Sequence, residues 1–597
     1  MGKRFLMGNE AIGLGAIRAG VSVVSGYPGT PSTEILETIA KQNTGEIYVE
    51  WSVNEKAALE VGAGAAYAGR RVLVTMKQVG LNVASDPLMS LAYVGIKGGM
   101  VIAVADDPGP ISSQTEQDTR HFARFCKLPV FDPSSPEEAY RMIGDAFELS
   151  EKYGTPVLFR PTTRVCHGCA SVEVDDTRAE LPQEGFVKDT ARWVIFPRSS
   201  YLNHIKLEER VPVLGEEFSS YPYNSVTGSG RKGIATGGIS YEYTKEALGD
   251  NDAKLLRVAT PYPFPERLAL EFLDGLDEVL VIEELDPVIE RELVYLCGKH
   301  HLGVTVRGKL TGDIQPAGEN SVESIGKALD RFLGIPFVQR DHPEPPPLPV
   351  RPPVLCAGCP HRASFYAVKQ AMKGKKAVFS GDIGCYTLGN AAPLDMVDTC
   401  LCMGADVTIA QGLHRAEPDA VNFAFIGDST FFASGMTGVV NAVYNQTDIV
   451  LIVLDNSTTA MTGHQPHPGT GRTMMGNVVD KVSIPKVLEA VGVSPVETVN
   501  PLDLKAAIEA VQRAAQAGGV SAVIFKSPCI AVTKPAGGYT VDKDRCIGCK
   551  KCIRELGCPA LVLEGSKAAI EPSLCYGCSI CAQVCPCGAI GGVRNDN

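Results

Sequence analysis

The chain has 597 residues, of which 45% are hydrophobic, and a formal net charge of −12. That length suits about three or four domains, each able to bury a core, and the acidity argues against nucleic acid or an anionic membrane as the main partner. The sequence has no apolar run of eighteen residues and no signal peptide, since Met1-Gly2-Lys3-Arg4 leads into a polar-interrupted segment. It reads as a cytoplasmic protein that spans no membrane.

Residues 1–190 read as an α/β domain. A helix is expected over Ala11–Ala19 and a strand over Val21–Ser25. The turn Gly26–Ser32 then leads into a helix with Ser32 as its N-cap. A second helix starts at Asn54-Glu55-Lys56, and its small residues allow close packing. Val72–Met76 and Val101–Ala105 read as strands, the latter ending in Asp106-Asp107. The polar stretch Ser112–Arg120 suits a solvated helix or loop as well as the wall of a site. Residues 191–340 read as a smaller α/β domain, with strands at Gly233–Gly238, Lys254–Val258 and Glu278–Glu283. Seven prolines within residues 341–353 make a stiff, extended linker.

Residues 354–530 read as another α/β domain. Two apolar strands, Phe423–Ile426 and Ile449–Leu454, end in Gly427-Asp428 and Asp455-Asn456. Apolar strands alternating with helices form a parallel sheet buried on both faces. Such sheets bind ligands at the carboxyl ends of their strands. The Asp428 carboxylate, the Asn456 amide oxygen and the Thr458 backbone carbonyl are hard donors that suit Mg²⁺, which usually keeps substrate phosphates among its ligands. A helix opening near Phe431 would turn its N-terminal N–H groups toward the same phosphate.

Residues 541–597 carry the strongest pattern. Nine of the nineteen cysteines fall in the last 52 residues, as Cys546-x₂-Cys549-x₂-Cys552-x₅-Cys558-Pro559 and Cys575-x₂-Cys578-x₂-Cys581-x₃-Cys585-Pro586. This is the bacterial pattern for two [4Fe–4S] clusters. Crossed ligation assigns Cys546, Cys549, Cys552 and Cys585 to one cluster and Cys575, Cys578, Cys581 and Cys558 to the other. Zinc is the rival metal here; Cys356 and Cys359 read as buried thiols, with a Cys₄ zinc site from Cys166, Cys169, Cys356 and Cys359 as the alternative, and Cys126, Cys297, Cys400, Cys402 and Cys529 read as structural. Cys587 is spare. Lys550-Lys551 is either a solvated pair or an attraction for an acidic ferredoxin.

Gly427-Asp428-Ser429, twenty-five residues and then Asp455-Asn456 resembles the diphosphate motif of thiamine diphosphate (TPP) enzymes. Ser429 and Asp455 depart from the motif's Gly and Asn. Met461-Thr462-Gly463-His464-Gln465 resembles the end of that motif in 2-oxoacid:ferredoxin oxidoreductases, which places His464 among the catalytic residues. Cys356-Ala357-Gly358-Cys359 and Gly381-Asp382-Ile383-Gly384-Cys385 resemble two further blocks of that family and imply that Gly384 and Cys385 lie close to the cofactor. Tyr27–Ser32 resembles its Tyr-Pro-x-Thr-Pro-Ser motif, which implies that Thr30 meets the substrate carboxylate. Asn54–Ala58 resembles the helix start that carries the catalytic Glu of TPP enzymes. A carboxyl in an apolar setting against the pyrimidine drives it to the imino form, so Glu55 takes that role.

The whole chain resembles the large subunits of indolepyruvate ferredoxin oxidoreductases. This implies an α/β fold with a pyrimidine-binding TPP domain (1–190), a transketolase C-terminal-like domain (191–340) and a diphosphate-binding domain (354–530) before the ferredoxin-like tail. It further implies TPP, Mg²⁺, two [4Fe–4S] clusters and coenzyme A as co-substrate. The activity implied is oxidative decarboxylation of indolepyruvate and other aryl pyruvates to aryl-acetyl-CoA. The partners implied are a smaller beta subunit and ferredoxin, in a hetero-oligomer with paired large subunits. Oxidation of another 2-oxo acid, non-oxidative TPP decarboxylation and an electron-transfer subunit with a degenerate TPP site are the alternatives.

Overall fold

The computed structural model describes residues 2–181, 185–334, 336 and 346–592. The chain divides into two compact units, Met1–Glu344 and Pro345–Asn597. Of the proline run, residues 341–345 lie outside the described residues, and 346–353 form neither helix nor strand.

The first unit contains two main sheets. One has six parallel strands in the order Tyr48–Trp51, Val23–Gly26, Val72–Lys77, Met100–Ala105, Val157–Phe159 and Val130–Phe131. Its central strands are mostly apolar because helices cover both faces; Val72, Val74, Ile102 and Val104 are fully buried, and Lys77 is the polar end of its strand. The other has five strands, Thr305–Arg307, Glu278–Ile282, Lys232–Gly237, Lys254–Val258 and Ser225–Thr227, the last antiparallel. A short antiparallel pair, Gly2–Met7 with Cys169–Val174, completes the unit.

The second unit has a six-stranded parallel sheet in the order Thr399–Cys400, Ala377–Gly381, Val421–Gly427, Ile449–Asp455, Val520–Lys526 and Val496–Val499. Phe423, Phe425, Ile452 and Leu454 fill one side of it, and Ile426, Leu451 and Val453 the other. The tail follows as two hairpin-like pairs, Tyr539–Val541 with Ile590–Gly592 and Leu561–Glu564 with Lys567–Ile570, and two short helices, Lys551–Leu556 and Ile580–Val584.

Two local expectations are corrected. The helix after Val421–Gly427 opens at Asp428 rather than near Phe431, and continues to Tyr444 through a π-turn at Phe431–Gly435. An acidic residue in a first turn is favoured by the helix dipole. Ser32 precedes its helix without capping it: its hydroxyl donates to the Gly29 carbonyl at 2.9 Å, and the Gly29 N–H is taken by Thr33 Oγ1.

Candidate functional site

In the first unit the site is built at the carboxyl edge of the parallel sheet. Asn54 caps the helix Glu55–Tyr67 by accepting from the Ala57 N–H at 2.8 Å, which places Glu55 in the first turn, buried. Its carboxyl lies against Gly80, where a Cβ would sit 2.5 Å from Glu55 Oε1. Burial pushes the Glu55 carboxyl up to about 7, with Lys77 opposing in part. Lys77 ends the strand Val72–Lys77 and is itself held below the ordinary lysine range by burial, against the pull of Glu55 and Asp107. Its ammonium reaches Gln114 Oε1 at 3.4 Å. Thr30 follows the strand Val23–Gly26, and its carbonyl accepts from Ser112 Oγ at 3.3 Å.

Ser112–Arg120 is thereby explained. The Ser112 and Ser113 N–H groups both donate to Asp107 Oδ2 at 2.9 Å, and Gln78 Nε2 donates to the Thr115 carbonyl. Thr119 binds Asp106 through N–H and hydroxyl. Arg120 is buried between Asp118 and Glu283, 2.5 and 2.8 Å away, and so ties this segment to the five-stranded sheet. The stretch is a fixed wall beside Thr30, Lys77 and Gln78. Lys77 escaped the sequence reading, and Asp107 was named only as the end of a strand, although both occupy the carboxyl ends of parallel strands, where such sheets bind ligands.

In the second unit, neighbouring parallel strands bring Gly427 opposite Leu454, so Asp428 and Asn456 leave the sheet side by side. Asp428 is buried; Oδ1 accepts from the Ser429 N–H at 2.9 Å and Oδ2 from the Ser457 N–H at 2.8 Å. Asn456 accepts from the Thr458 N–H through Oδ1 and faces His361 Nε2 through Nδ2 at 3.2 Å. Burial pushes His361 down to about 4, so its ring is neutral at pH 7 and accepts the Asn456 proton. That bond fixes which end of the amide offers oxygen.

Both departures from the diphosphate motif have partners of their own. Ser429 Oγ accepts from Thr459 Oγ1 at 3.0 Å, and Asp455 turns to Lys526 at 3.2 Å. Gly427 and Gly384 leave room for the Tyr386 ring, which a Cβ on either would meet at 2.4 Å. The Tyr386 hydroxyl donates to Asp382 at 2.7 Å. His464 is exposed, with φ +69. The histidine beside Asp428 is His467, buried against Phe432, with Nε2 3.1 Å from Asp428 Oδ2. Its Nδ1 accepts from the Gly469 N–H, and among the described residues Nε2 is buried with no hydrogen-bond partner. Its signal was its position two residues past Gln465 in the same loop, among prolines.

The tail holds two small thiol-lined cavities. Cys558, Cys575, Cys578 and Cys581 line one, and Cys546, Cys549, Cys552, Cys585 and Cys587 the other. This is the grouping that the crossed spacing implies. Among the described residues no three thiols lie within 4.8 Å of one another, closer than which the ligands of a single zinc ion must come. Burial, then the neighbouring Cys578, Cys558 and Cys575, push Cys581 up to about 12. Such crowded thiols ionise together only around a cationic centre. Cys585 is held below the ordinary thiol range, since the N–H groups of Ala589 and Cys587 outweigh its burial. Cys587 Sγ lies 3.6 Å from Cys585 Sγ. A third thiol group adjoins the diphosphate edge: burial and then Cys529 and Cys356 raise Cys385, and Cys356 also raises the buried Cys359. The Cys529 N–H donates to the Asn456 carbonyl.

Comparison with known proteins agrees with both sheets. Residues 14–191 match the family model of the thiamine diphosphate-binding region of pyruvate flavodoxin/ferredoxin oxidoreductases. Residues 382–525 match that of the C-terminal binding domain of thiamine pyrophosphate enzymes. The chain is 45% identical to indolepyruvate oxidoreductase subunit IorA of Methanothermobacter thermautotrophicus, over 98% of this chain and 97% of the relative. It is 40% identical to the same subunit of Pyrococcus horikoshii, over 99% and 97%. Ketoisovalerate oxidoreductase subunit VorB of Methanothermobacter marburgensis is 26% identical over 46% of this chain and 84% of the relative. The described residues contain no helix long and apolar enough to cross a membrane. The chain belongs to the indolepyruvate oxidoreductase subunit IorA family, among the TPP-dependent 2-oxoacid:ferredoxin oxidoreductases.

Proposed function

We propose that this chain is the large subunit of a cytoplasmic enzyme that oxidatively decarboxylates indolepyruvate and related aryl pyruvates to aryl-acetyl-CoA and passes the electrons to ferredoxin. The observation that carries the reading is one unit holding both the oriented donors of Asp428 and Asn456 and two cavities lined by four or more thiols. Asp428, Asn456 and the Thr458 carbonyl would hold Mg²⁺ against the cofactor diphosphate, beside Gly427, Ser429, Gly384 and Cys385. The donor set fits: all are hard oxygens, and Asn456 is oriented by a neutral His361. Bound TPP supplies the nucleophilic carbon for the 2-oxo carbonyl and holds the charge left as CO₂ departs. Glu55, neutral for much of the time near pH 7, holds the proton that the cofactor's pyrimidine ring exchanges. Thr30 and His464 contact the substrate. A smaller beta subunit completes a hetero-oligomer with paired large subunits, and coenzyme A takes the acyl group.

The two tail cavities take one [4Fe–4S] cluster each, on Cys546, Cys549, Cys552 and Cys585 and on Cys558, Cys575, Cys578 and Cys581. The Cys529 N–H bound to the Asn456 carbonyl, with Cys356 and Cys529 close enough to act on Cys385 and Cys356 on Cys359, supports a third cluster next to the diphosphate edge. Iron analysis separates two clusters from three, and Cys529→Ala removes only the third.

The deciding experiment is anaerobic visible spectroscopy of the protein co-expressed with its small subunit, with TPP, Mg²⁺ and coenzyme A. Rapid bleaching by indolepyruvate or phenylpyruvate, but not by pyruvate or 2-oxoglutarate, is the expected outcome. Bleaching by an aliphatic acid alone would move the substrate. No bleaching, with clusters that dithionite still reduces, would overturn the oxidoreductase reading for this assembly.

A further inference from the structure

The two halves of the tail repeat at 29 residues, yet the fold gives them opposite surroundings. Ile547, Lys550, Lys551 and Arg554 of the first half correspond to Tyr576, Ser579, Ile580 and Gln583 of the second. The second half faces its own unit. The Tyr576 hydroxyl donates to the carbonyls of Ile530 and Thr533 at 2.5 and 2.7 Å, and its Cβ lies 2.4 Å from where a Cβ on Gly358 would stand. Ile580 is buried, and Gln583 binds the backbone of Leu502 and Leu504. Ala357 and Gly358, between Cys356 and Cys359, line that half's cavity.

On the first half the matching face is open. Ile547 is 69% exposed beside the cavity of Cys546, Cys549, Cys552 and Cys585. Arg545, Lys550 and Arg554 are exposed around it, and Lys551 is half-buried. Among the described residues Lys550 and Lys551 form no ion pair, whereas Lys543 is held by Glu564 at 2.6 Å. Residues 543–554 carry five basic side chains and one acidic, Asp544, within a chain of net charge −12. The flanking carboxylates are engaged: Asp542 accepts from the Asp544 and Arg545 N–H groups, and Glu555 from the Tyr366 hydroxyl.

We propose that this face, Ile547 ringed by Arg545, Lys550, Lys551 and Arg554, is the docking surface for a small acidic one-electron carrier. The proposal rests on the iron–sulfur reading of the tail given above. An apolar centre with a charged rim is the usual anatomy of a transient interface, and a local basic patch on an acidic protein selects an acidic partner. The inner cavity adjoins the Cys356–Cys359 loop, so electrons enter there and leave from the outer one. In each encounter the outer cluster is oxidised by one electron and the carrier is reduced by one; no bond forms and no proton moves. Two encounters clear the two electrons released per 2-oxo acid.

The test starts from enzyme whose clusters are reduced with dithionite and freed of it by gel filtration, so that it does not depend on TPP chemistry. Reduced wild type and the K550E/K551E double variant are mixed with an oxidised acidic [4Fe–4S] ferredoxin across a salt series, with Lys373→Glu as a control of the same kind elsewhere on the unit. The second-order rate should fall about tenfold in K550E/K551E at low salt, and the difference should shrink as salt rises. The control should match wild type, and iron content and dithionite bleaching should be unchanged in both variants. Equal rates and equal salt slopes for wild type and K550E/K551E, with clusters intact, would overturn the docking surface alone. Absence of iron would overturn the cluster reading and the docking surface together.

Discussion

The two six-stranded parallel sheets have the same strand order. Numbered within each sheet by position in the chain, both run second, first, third, fourth, sixth, fifth. They nevertheless present opposite chemistry at the same edge. Glu55 is buried in a setting that favours its neutral form, opposed in part by a backbone hydrogen bond and then by Lys77. Asp428 is equally buried but accepts two backbone N–H groups and faces His467. Topology supplies the place, and the partners at the strand ends set how differently the two carboxyls are surrounded.

The contrast can be broken from the Glu55 side first. Glu55→Gln should lower kcat about 100- to 10,000-fold, the usual worth of a positioned acid or base, while TPP binding measured by calorimetry stays close to wild type. A large loss of TPP affinity instead would make Glu55 a binding residue. The same substitution has a pH signature in the cofactor-free protein. A carboxyl raised to about 7 keeps its proton in the folded chain while the unfolded chain has lost it. Stability is therefore present at acid pH and falls as pH rises from the ordinary carboxyl value through about 7. Glu55→Gln should abolish that fall, worth roughly 3 kcal/mol across the window, read as converging denaturation midpoints at about pH 5 and diverging ones at about pH 8.

From the other side, Asp428→Ala should weaken Mg²⁺-dependent TPP binding by about 100-fold or more, since second-shell partners alone are worth about 10- to 100-fold. An unchanged Mg²⁺ titration would sink the metal assignment. His467→Ala should cost about tenfold in the same titration, and His467→Gln, which retains an N–H donor, less. Ser429→Gly should change TPP affinity by no more than about threefold, because the part-buried hydroxyl contact with Thr459 that it forfeits is a neutral one. A large gain in affinity there would make Ser429 a sign of a degenerate site.

Much of the fold was legible because its signals are local. Phe423–Ile426 and Ile449–Leu454 are apolar runs cut off by polar pairs, and the structure strands both. Asn54 announced the helix that carries Glu55. The helix after Asp428 was placed three residues late, because the dipole preference for an acidic residue in the first turn was not weighed.

The site was legible only in part. The sequence alone determined the strand ends, the oxygen donors at them and the grouping of the tail thiols, since each depends on residues close together or on a repeat. The tertiary structure decided which distant side chains stand beside them. His361 orients Asn456 from 95 residues away, Lys77 acts on Glu55 through its charge, His467 rather than its neighbour His464 faces Asp428, and Cys529 joins Cys356 and Cys385. It also decided that one half of the tail is covered and the other bare, although their cysteine spacing is nearly the same. Spacing along the chain specifies ligands that one short loop can present; burial, proton affinity and exposure are set by what packs against that loop from elsewhere, and no local pattern records it.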